Sequence, residues 1–462
     1  MTQQTNFSNF IQTLQNQIGS DNVLTDPAEC LVYGYDNSRR QGNAQVVAFA
    51  TSTEQVQQIA ALCNHYQIPL TVRGRGTGTP GGAVPLQGGL VLSLERMNKI
   101  LRVDPDNRVI VAEAGVLNLA VQQAAAAIGF FWPPDPSSAA YCTIGGNLAY
   151  NSAGPRAVKY GTVRENTLGL TAVTIAGEVM RTGTYTTKGA VGYDLTRLLI
   201  GSEGTLAIIT EATLKLTPLT TAKTTLQAAY TNMRAAAQAV AAIMAQPVTP
   251  CALEFMDHKA VELVRASGID IVAGAGALLI IEVDGMPEVL AAATEKIVAA
   301  ATNADLLKIT VANNAVETEQ LWQARKALSP ALRTLASGKI NEDVVVPVSA
   351  IPDLLERLGQ LSTQFQIPIV NFGHAGNGNI HVNLLFDAEN PLQKQQAQLC
   401  LSEVFTAVLE LGGTLSGEHG IGIEKRDFLA RAIDPVSLRL MKQIKTVFDP
   451  NNLLNPGKIF PI

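Results

Sequence analysis

Phe7, Phe10, Ile11, Leu14 and Ile18 recur at three- and four-residue spacing with polar residues between them. That is the period of a helix with one apolar face, so residues 5–18 are expected to form an amphipathic helix whose task is packing. After a loop containing Pro27 the pattern changes. The runs VVAFA, TEQVQQIAALCNHYQ and IPLTVRG read in turn as strand, helix and strand, a βαβ unit with Thr51 or Ser52 placed to cap the helix. From there to about residue 217, short apolar runs (LVLSL, VIVAEAG, LTAVTI, AIITEATLKL) alternate with glycine-rich loops and an alanine-rich helix near 117–128. Beyond TPLTTAKTT, long Ala-rich helical stretches at 232–245 and 287–303 interleave with apolar strands such as ALLIIEV.

These textures divide the chain and make its fold class α+β. Residues 1–42 read as an N-terminal helix and lead-in, 43–219 as a nucleotide-sized domain, and 220–414 as a second domain of helices and antiparallel sheet, with the boundary near 218–222. The segment 415–462 returns to glycine-rich loops and is expected to pack back on the first domain. A length of 462 residues suits two or three domains.

Composition narrows the function classes. With 47% hydrophobic and 16% charged residues there is ample material for buried cores. A net charge of -5 offers no basic surplus, which argues against nucleic acid or an anionic membrane as the main partner. An acidic substrate would need local positive charge. Five scattered cysteines without a CxxC pair read as reduced and structural, and no iron–sulfur or Cys-based zinc site can be built from them. The N-terminal stretch lacks a basic region followed by an apolar one, and no run of about 18 apolar residues occurs. A cytoplasmic location is expected, with membrane association only through a partner.

Three loops carry candidate chemistry. RGRGTGTPGG at 73–82 follows a strand directly, and backbone N–H groups freed by such a turn can cradle a diphosphate. It contains GxGxxG at Gly76, Gly78 and Gly81, but the residues that should open a Rossmann helix are GGAVPLQGG, too rich in glycine and proline to do so. No Gly-Lys-Ser/Thr follows, so it is no P-loop either. The second loop region, 133–161, strings together PPDPSS, CTIGGN, NSAG and KYG, and the third is GSEGT at 201–205. Three such loops in one domain suggest one extended ligand lying across their backbones.

Only five histidines occur, and three fall in two glycine-rich motifs. In IPIVNFGHAGNGNIHVNLLF two apolar strands flank a glycine-rich turn, which reads as a hairpin with His374 ending one strand and His381 beginning the next. Asn383 shares the face of His381. The second motif, GEHGIG at 417–422, sets a carboxylate beside an imidazole. Two histidines and a carboxylate suit Zn²⁺, Mn²⁺ or Fe²⁺ with coordination positions open for substrate. His65 and His258 lie in helical, glycine-poor contexts and read as structural.

Together, RGRGTGTPGG, PPDPSS with CTIGGN, VGYDLTRLLIGSEGTLAIITEATLKL and the two histidine motifs resemble the FAD-dependent D-2-hydroxy-acid dehydrogenases of the vanillyl-alcohol oxidase superfamily. The likeness extends over about residues 20–462. It implies a PCMH-type FAD-binding domain at 43–219 and a substrate (cap) domain at 220–414. It implies FAD contacts from Arg73, Gly74, Arg75, Gly76, Thr77, Gly78, Pro134, Thr143, Gly145, Gly146, Asn147, Asn151, Gly154, Tyr160, Glu203, Gly204, Ile209 and Asn455. Relatives that tether flavin covalently carry a histidine where this chain has Thr77, so the flavin is expected to be non-covalent. Arg75 stands where many relatives have alanine.

The same resemblance implies His374, His381 and Glu418 as ligands of a divalent metal, Zn²⁺ before Mn²⁺ or Fe²⁺, with His419 as the base. A metal on the substrate hydroxyl lowers its pKa, and His419 can remove that proton as hydride leaves Cα for flavin N5. Arg325, in the family's LWxxR motif, is the candidate for binding the substrate carboxylate, with Ser329 and Asn383 completing the pocket. Relatives that oxidise D-2-hydroxyglutarate place a lysine where this chain has Asn341. D-lactate or glycolate is therefore favoured, with D-2-hydroxyglutarate the alternative and Lys339 a possible substitute cation. The electron acceptor must be separate: a quinone, cytochrome, electron-transfer flavoprotein or iron–sulfur subunit. A homodimer is a further possibility. Two competing readings are a redox-silent transferase of the same superfamily, which would want a lipid-binding extension that the chain lacks, and a non-catalytic flavin subunit, which would not need the histidine cluster.

Overall fold

The continuous apolar runs of the first half become strands covered on both faces. Val46–Phe49 and Leu90–Ser93 are buried along their whole length. They pair in parallel, and Leu90–Ser93 pairs in parallel with Leu70–Arg73 on its other side, the burial pattern that parallel pairing demands. The helix Thr53–Tyr66 is the crossover. Ser52 caps it, its Oγ accepting from Gln55 N at 3.3 Å, while Gln55 Oε1 accepts from Thr51 N at 2.8 Å. Gln3–Ile18 lays Phe10, Leu14 and Ile18 into the same core as Ile59 and Leu62.

The computed structural model to which these elements belong describes residues 3–461, with the side chains of residues 3, 4, 329, 330 and 333 outside the description. It divides into two compact units. The first takes Met1–Gly154, Gly161–Leu219 and Glu418–Ile462, the second Pro155–Tyr160 and Thr220–Gly417.

Within the first unit, the chain's tail completes the parallel sheet. Leu70 N donates to Leu453 O at 2.8 Å, Asn455 N donates to Leu70 O at 2.6 Å, and Leu453 and Leu454 lie in the sheet's core. A second, antiparallel sheet runs in the order Ile100–Asp104, Val109–Glu113, Ile208–Lys215, Thr167–Val173, Val179–Gly183. The glycine-rich loop at 73–82 leaves the carboxyl end of a parallel strand, where ligands of such sheets bind.

The second unit is built on a seven-stranded, wholly antiparallel sheet. Its order is Leu306–Val311, Ala222–Tyr230, Ala277–Gly285, Ala252–Met256, Ile369–His374, Asn379–Phe386 and Gly338–Val345. Directly opposed residues share a face, so the register sorts the side chains. Glu254 pairs with His374, Phe372 with His381, Val370 with Asn383, and His381 and Asn383 with Asp343 and Asn341. All of these point to one face, which the helices His258–Ala266 and Ala315–Leu335 cover through Val264, Leu328 and Leu332. The helices Met233–Ala245, Pro287–Ala301, Ile351–Phe365 and Pro391–Glu410 form the other layer, tied to the sheet where Tyr230 donates to Ala301 O at 2.7 Å.

The hairpin turn at Ala375–Asn377 closes through Gly378, whose φ is +75°. A Cβ there would stand 1.8 Å from Val346 O. Gly378→Ala is expected to destabilise the second unit by about 2 kcal/mol or more, combining left-handed strain with a backbone clash. Guanidinium unfolding followed by circular dichroism checks this, and an unchanged midpoint would refute it. Among the described residues no helix is long and apolar enough to cross a membrane.

Candidate active site

Within the first unit the glycine-rich segments meet. A Cβ at Gly74 would stand 2.5 Å from Thr143 Oγ1, and one at Gly82 would stand 1.7 Å from the Tyr150 hydroxyl. A Cβ at Gly201 would reach Asn151 at 3.6 Å, and one at Gly420 would reach Glu203 Oε1 at 2.7 Å. The loops at 73–82, 143–154, 201–205 and 420–422 therefore form one neighbourhood.

Individual side chains there do varied jobs. Thr143 caps the helix Ile144–Tyr150, which contains Gly145 and Gly146, its Oγ1 accepting from Gly146 N at 3.2 Å. Asn118 Nδ2 joins Pro134 O at 3.1 Å to Asn147 Oδ1 at 3.0 Å, a wholly buried link. Asn151 has φ 53° and accepts from Thr162 Oγ1 at 2.9 Å. Gly76 and Gly204 are left-handed, Thr77 and Gly78 lie in the same loop, and Ile209 is buried in Ile208–Lys215.

Three of the side chains expected to contact flavin also have partners within the protein. The Arg73 guanidinium donates to Tyr35 O at 2.6 Å and lies over the Tyr33 ring, so it braces the protein itself. Arg75 turns outward to Glu95 at 3.6 Å. Tyr160 belongs to the second unit, where its hydroxyl donates to Asp284 Oδ2 at 2.6 Å.

Glu203 has φ 53° and is buried. Its two carboxylate oxygens accept from Ile421 N and Gly422 N, each at 2.7 Å, so it fastens the GEHGIG loop. Burial nevertheless raises its carboxyl to about 7, against the pull of those N–H groups and of Lys425 and Lys458. Asn455 Nδ2 donates to Glu203 O at 2.7 Å, and Asn455 Oδ1 accepts from buried Lys458, whose ammonium burial lowers to about 8.

In the second unit the sheet face described above carries His374, His381 and Asn383, with Arg325 on a covering helix. The His374 and His381 rings lie 5.3 Å apart, nearly perpendicular. His374 Nδ1 meets Glu254 Oε1 at 2.5 Å, and Arg325 Nε donates to Glu254 Oε2 at 2.8 Å. Glu254 is 1% exposed. Burial pushes its carboxyl up, but the facing His374 and Arg325 outweigh this and hold it at about 2. The Arg325 guanidinium also lies over the Phe372 ring, 4.6 Å from its centre.

Asn383 Nδ2 donates to Val370 O and His381 O, while the buried Oδ1 atoms of Asn383 and Asn341 have no hydrogen-bond partner. Lys339 shares their face but is exposed. The side chain of Ser329 lies outside the described residues.

Glu418 follows Gly417, whose N donates to Asp343 Oδ2 at 2.9 Å, and Asp343 pairs with His381. His374 and His381 belong to the second unit, while Glu418 opens the last segment of the first. One Glu418 oxygen accepts from Gly154 N at 2.8 Å. His419 lies in the same loop, half-buried.

Two residues escaped the sequence reading. Glu254 is the single acid of the buried strand Ala252–Met256, and an acid interrupting an apolar run is the one local signal it carries. Asp343, fully buried, anchors Ser416 and Gly417 and had no signal beyond its nearness to Asn341.

Comparison with known proteins agrees on both halves. Residues 44–183 match the family described as FAD binding domain, and 219–459 that described as FAD linked oxidases, C-terminal domain. The chain is 38% identical over 444 residues to glycolate oxidase subunit GlcD of Bacillus subtilis, covering 96% of this chain and 94% of that one. It is 37% identical over 448 residues to D-lactate dehydrogenase of Anaerostipes hadrus, covering 93% and 91%. A crystal structure of p-cresol methylhydroxylase with substrate bound superposes with a TM-score of 0.82 over 99% of this chain and 97% of that one, at 18% identity, a likeness of fold.

Proposed function

The chain belongs to the FAD-linked oxidases, and from that premise we propose that it oxidises a small D-2-hydroxy acid, D-lactate or glycolate, to the 2-oxo acid with metal assistance. One observation carries the reading: the His374 and His381 rings lie 5.3 Å apart on one sheet face, and the carboxylate that holds His374 also holds Arg325.

The residues suit both groups. Four glycine-rich segments meeting in the first unit fit an extended dinucleotide, and Thr77 leaves no imidazole for a covalent tether. Two imidazoles and a carboxylate form a donor set for Zn²⁺, and equally for Mn²⁺ or Fe²⁺. Bound FAD supplies a two-electron acceptor and a bound divalent ion supplies a Lewis acid, neither of which any side chain provides.

The protein's own groups do the rest. Arg325, with Nε committed to Glu254, meets the substrate carboxylate with Nη1 and Nη2. Asn383 stands on the sheet face of His381, directly opposite Asn341, and completes the pocket. His419 takes the hydroxyl proton as the bond from Cα to hydrogen breaks. Re-oxidation needs a separate acceptor, as the subunit naming of the GlcD relative suggests. D-2-hydroxyglutarate is the second reading, favoured by Lys339 sharing the face of Asn341 and Asn383.

Under anaerobic conditions D-lactate or glycolate is expected to bleach the flavin absorbance. Exhaustive chelation should slow that bleaching by at least about 10²-fold, and added Zn²⁺ or Mn²⁺ should restore it. Full-rate bleaching after chelation would remove the metal, and a colourless protein would remove the whole proposal. A larger kcat/KM for D-2-hydroxyglutarate than for either monocarboxylate would select the second reading.

A further inference from the structure

We infer that Glu254 is a positioning residue that sets the spacing between the cation receiving the substrate carboxylate and the imidazole ligating the metal, one carboxylate oxygen for each. The inference rests on the reading above, in which Arg325 binds substrate and His374 binds metal.

The geometry leaves Glu254 little freedom. It pairs directly with His374 across neighbouring antiparallel strands, so both side chains stand on the same face. Oε1 meets His374 Nδ1 at 2.5 Å and Oε2 accepts Arg325 Nε at 2.8 Å. The guanidinium plane is fixed a second time by the Phe372 ring, two residues before His374 on the same strand. Arg325 comes from a helix and His374 from a strand, so no shared backbone element sets their separation. One buried carboxylate does.

Each contact has a chemical consequence. A carboxylate on Nδ1 selects the tautomer that presents Nε2 to a metal and makes that nitrogen a better donor. A carboxylate on Nε turns the guanidinium so that its two terminal nitrogens form the edge that a second carboxylate can meet. A 2-hydroxy acid carries its carboxylate and hydroxyl on adjacent carbons, so its two anchoring points must be held at one short spacing. Glu254 supplies that constraint from outside the substrate's reach.

The test uses the FAD-loaded full chain stripped of metal, titrated with Co²⁺ and followed by its visible d–d bands. Glu254→Gln can accept from only one of its two partners. It is expected to weaken Co²⁺ binding by about 10- to 100-fold, the effect of losing the group behind a metal-bound histidine. KM for the 2-hydroxy acid should rise about 10-fold or more in the same variant at saturating metal, with FAD content and circular dichroism unchanged. In an Arg325→Met background the substitution should still weaken Co²⁺ binding but should no longer raise KM, a split that a general loss of stability does not produce.

Glu254→Asp keeps the charge between the same two partners but cannot reach both, and serves if the glutamine variant does not fold. Co²⁺ affinity and KM both within two-fold of the unsubstituted protein would overturn the inference. If the unsubstituted protein itself bound no Co²⁺, the metal reading would fail first and the inference would fall with it.

Discussion

Arg325→Met is expected to lower kcat/KM for the 2-hydroxy acid by about 10²-fold or more, chiefly through KM, while Co²⁺ binding by the histidines persists. The side chain is 17% exposed and faces a carboxylate that is 1% exposed. Removing one member of such a pair typically costs about 3–5 kcal/mol, because the remaining charge stays buried with less compensation. That cost falls on folding, through Glu254 left with His374 alone. Substrate binding is weakened separately, because a fixed cation is lost in a chain whose net charge is -5. Methionine preserves the apolar contact with Phe372, so the comparison isolates the charge. Steady-state kinetics with a dye acceptor measure the effect, and a kcat/KM within ten-fold of the original would remove Arg325 from the pocket.

His419→Ala is expected to lower kcat by about 10²- to 10⁴-fold, the range for a lost general base. FAD content and Co²⁺ affinity should be retained. The loop that carries His419 is fastened by Glu203 through the N–H groups of Ile421 and Gly422, contacts that the substitution does not touch. A variant that keeps its rate would assign the proton to another group.

The parts of the fold legible in the sequence were those with a strong local period. The Ala-rich stretch at 232–245 is the helix Met233–Ala245, and the hairpin around His374 and His381 follows from two apolar runs meeting at a glycine-rich turn. The strands Ile100–Asp104 and Val179–Gly183 escaped because, largely exposed at the margins of their sheet, they carry no clean alternation. The cluster around His374 was legible in part for the same reason. His374 and His381 share one short motif, whereas Glu254 reaches His374 from 120 residues away and its pairing exists only in the register of two strands. Tyr160 shows the same limit, since nothing local foretells that its hydroxyl bonds to Asp284, 124 residues away.

The joining of Leu70 to Leu453, Leu454 and Asn455 bears on the order in which the molecule can be assembled. On a ribosome, residues 220–417 have emerged before the tail exists, and every strand of their sheet is present once Phe386 has been made. The parallel sheet, begun some four hundred residues earlier, gains its pairing to Leu70 only when Leu453 to Asn455 have been made, so these last hydrogen bonds close a stretch of sequence that contains all of residues 220–417.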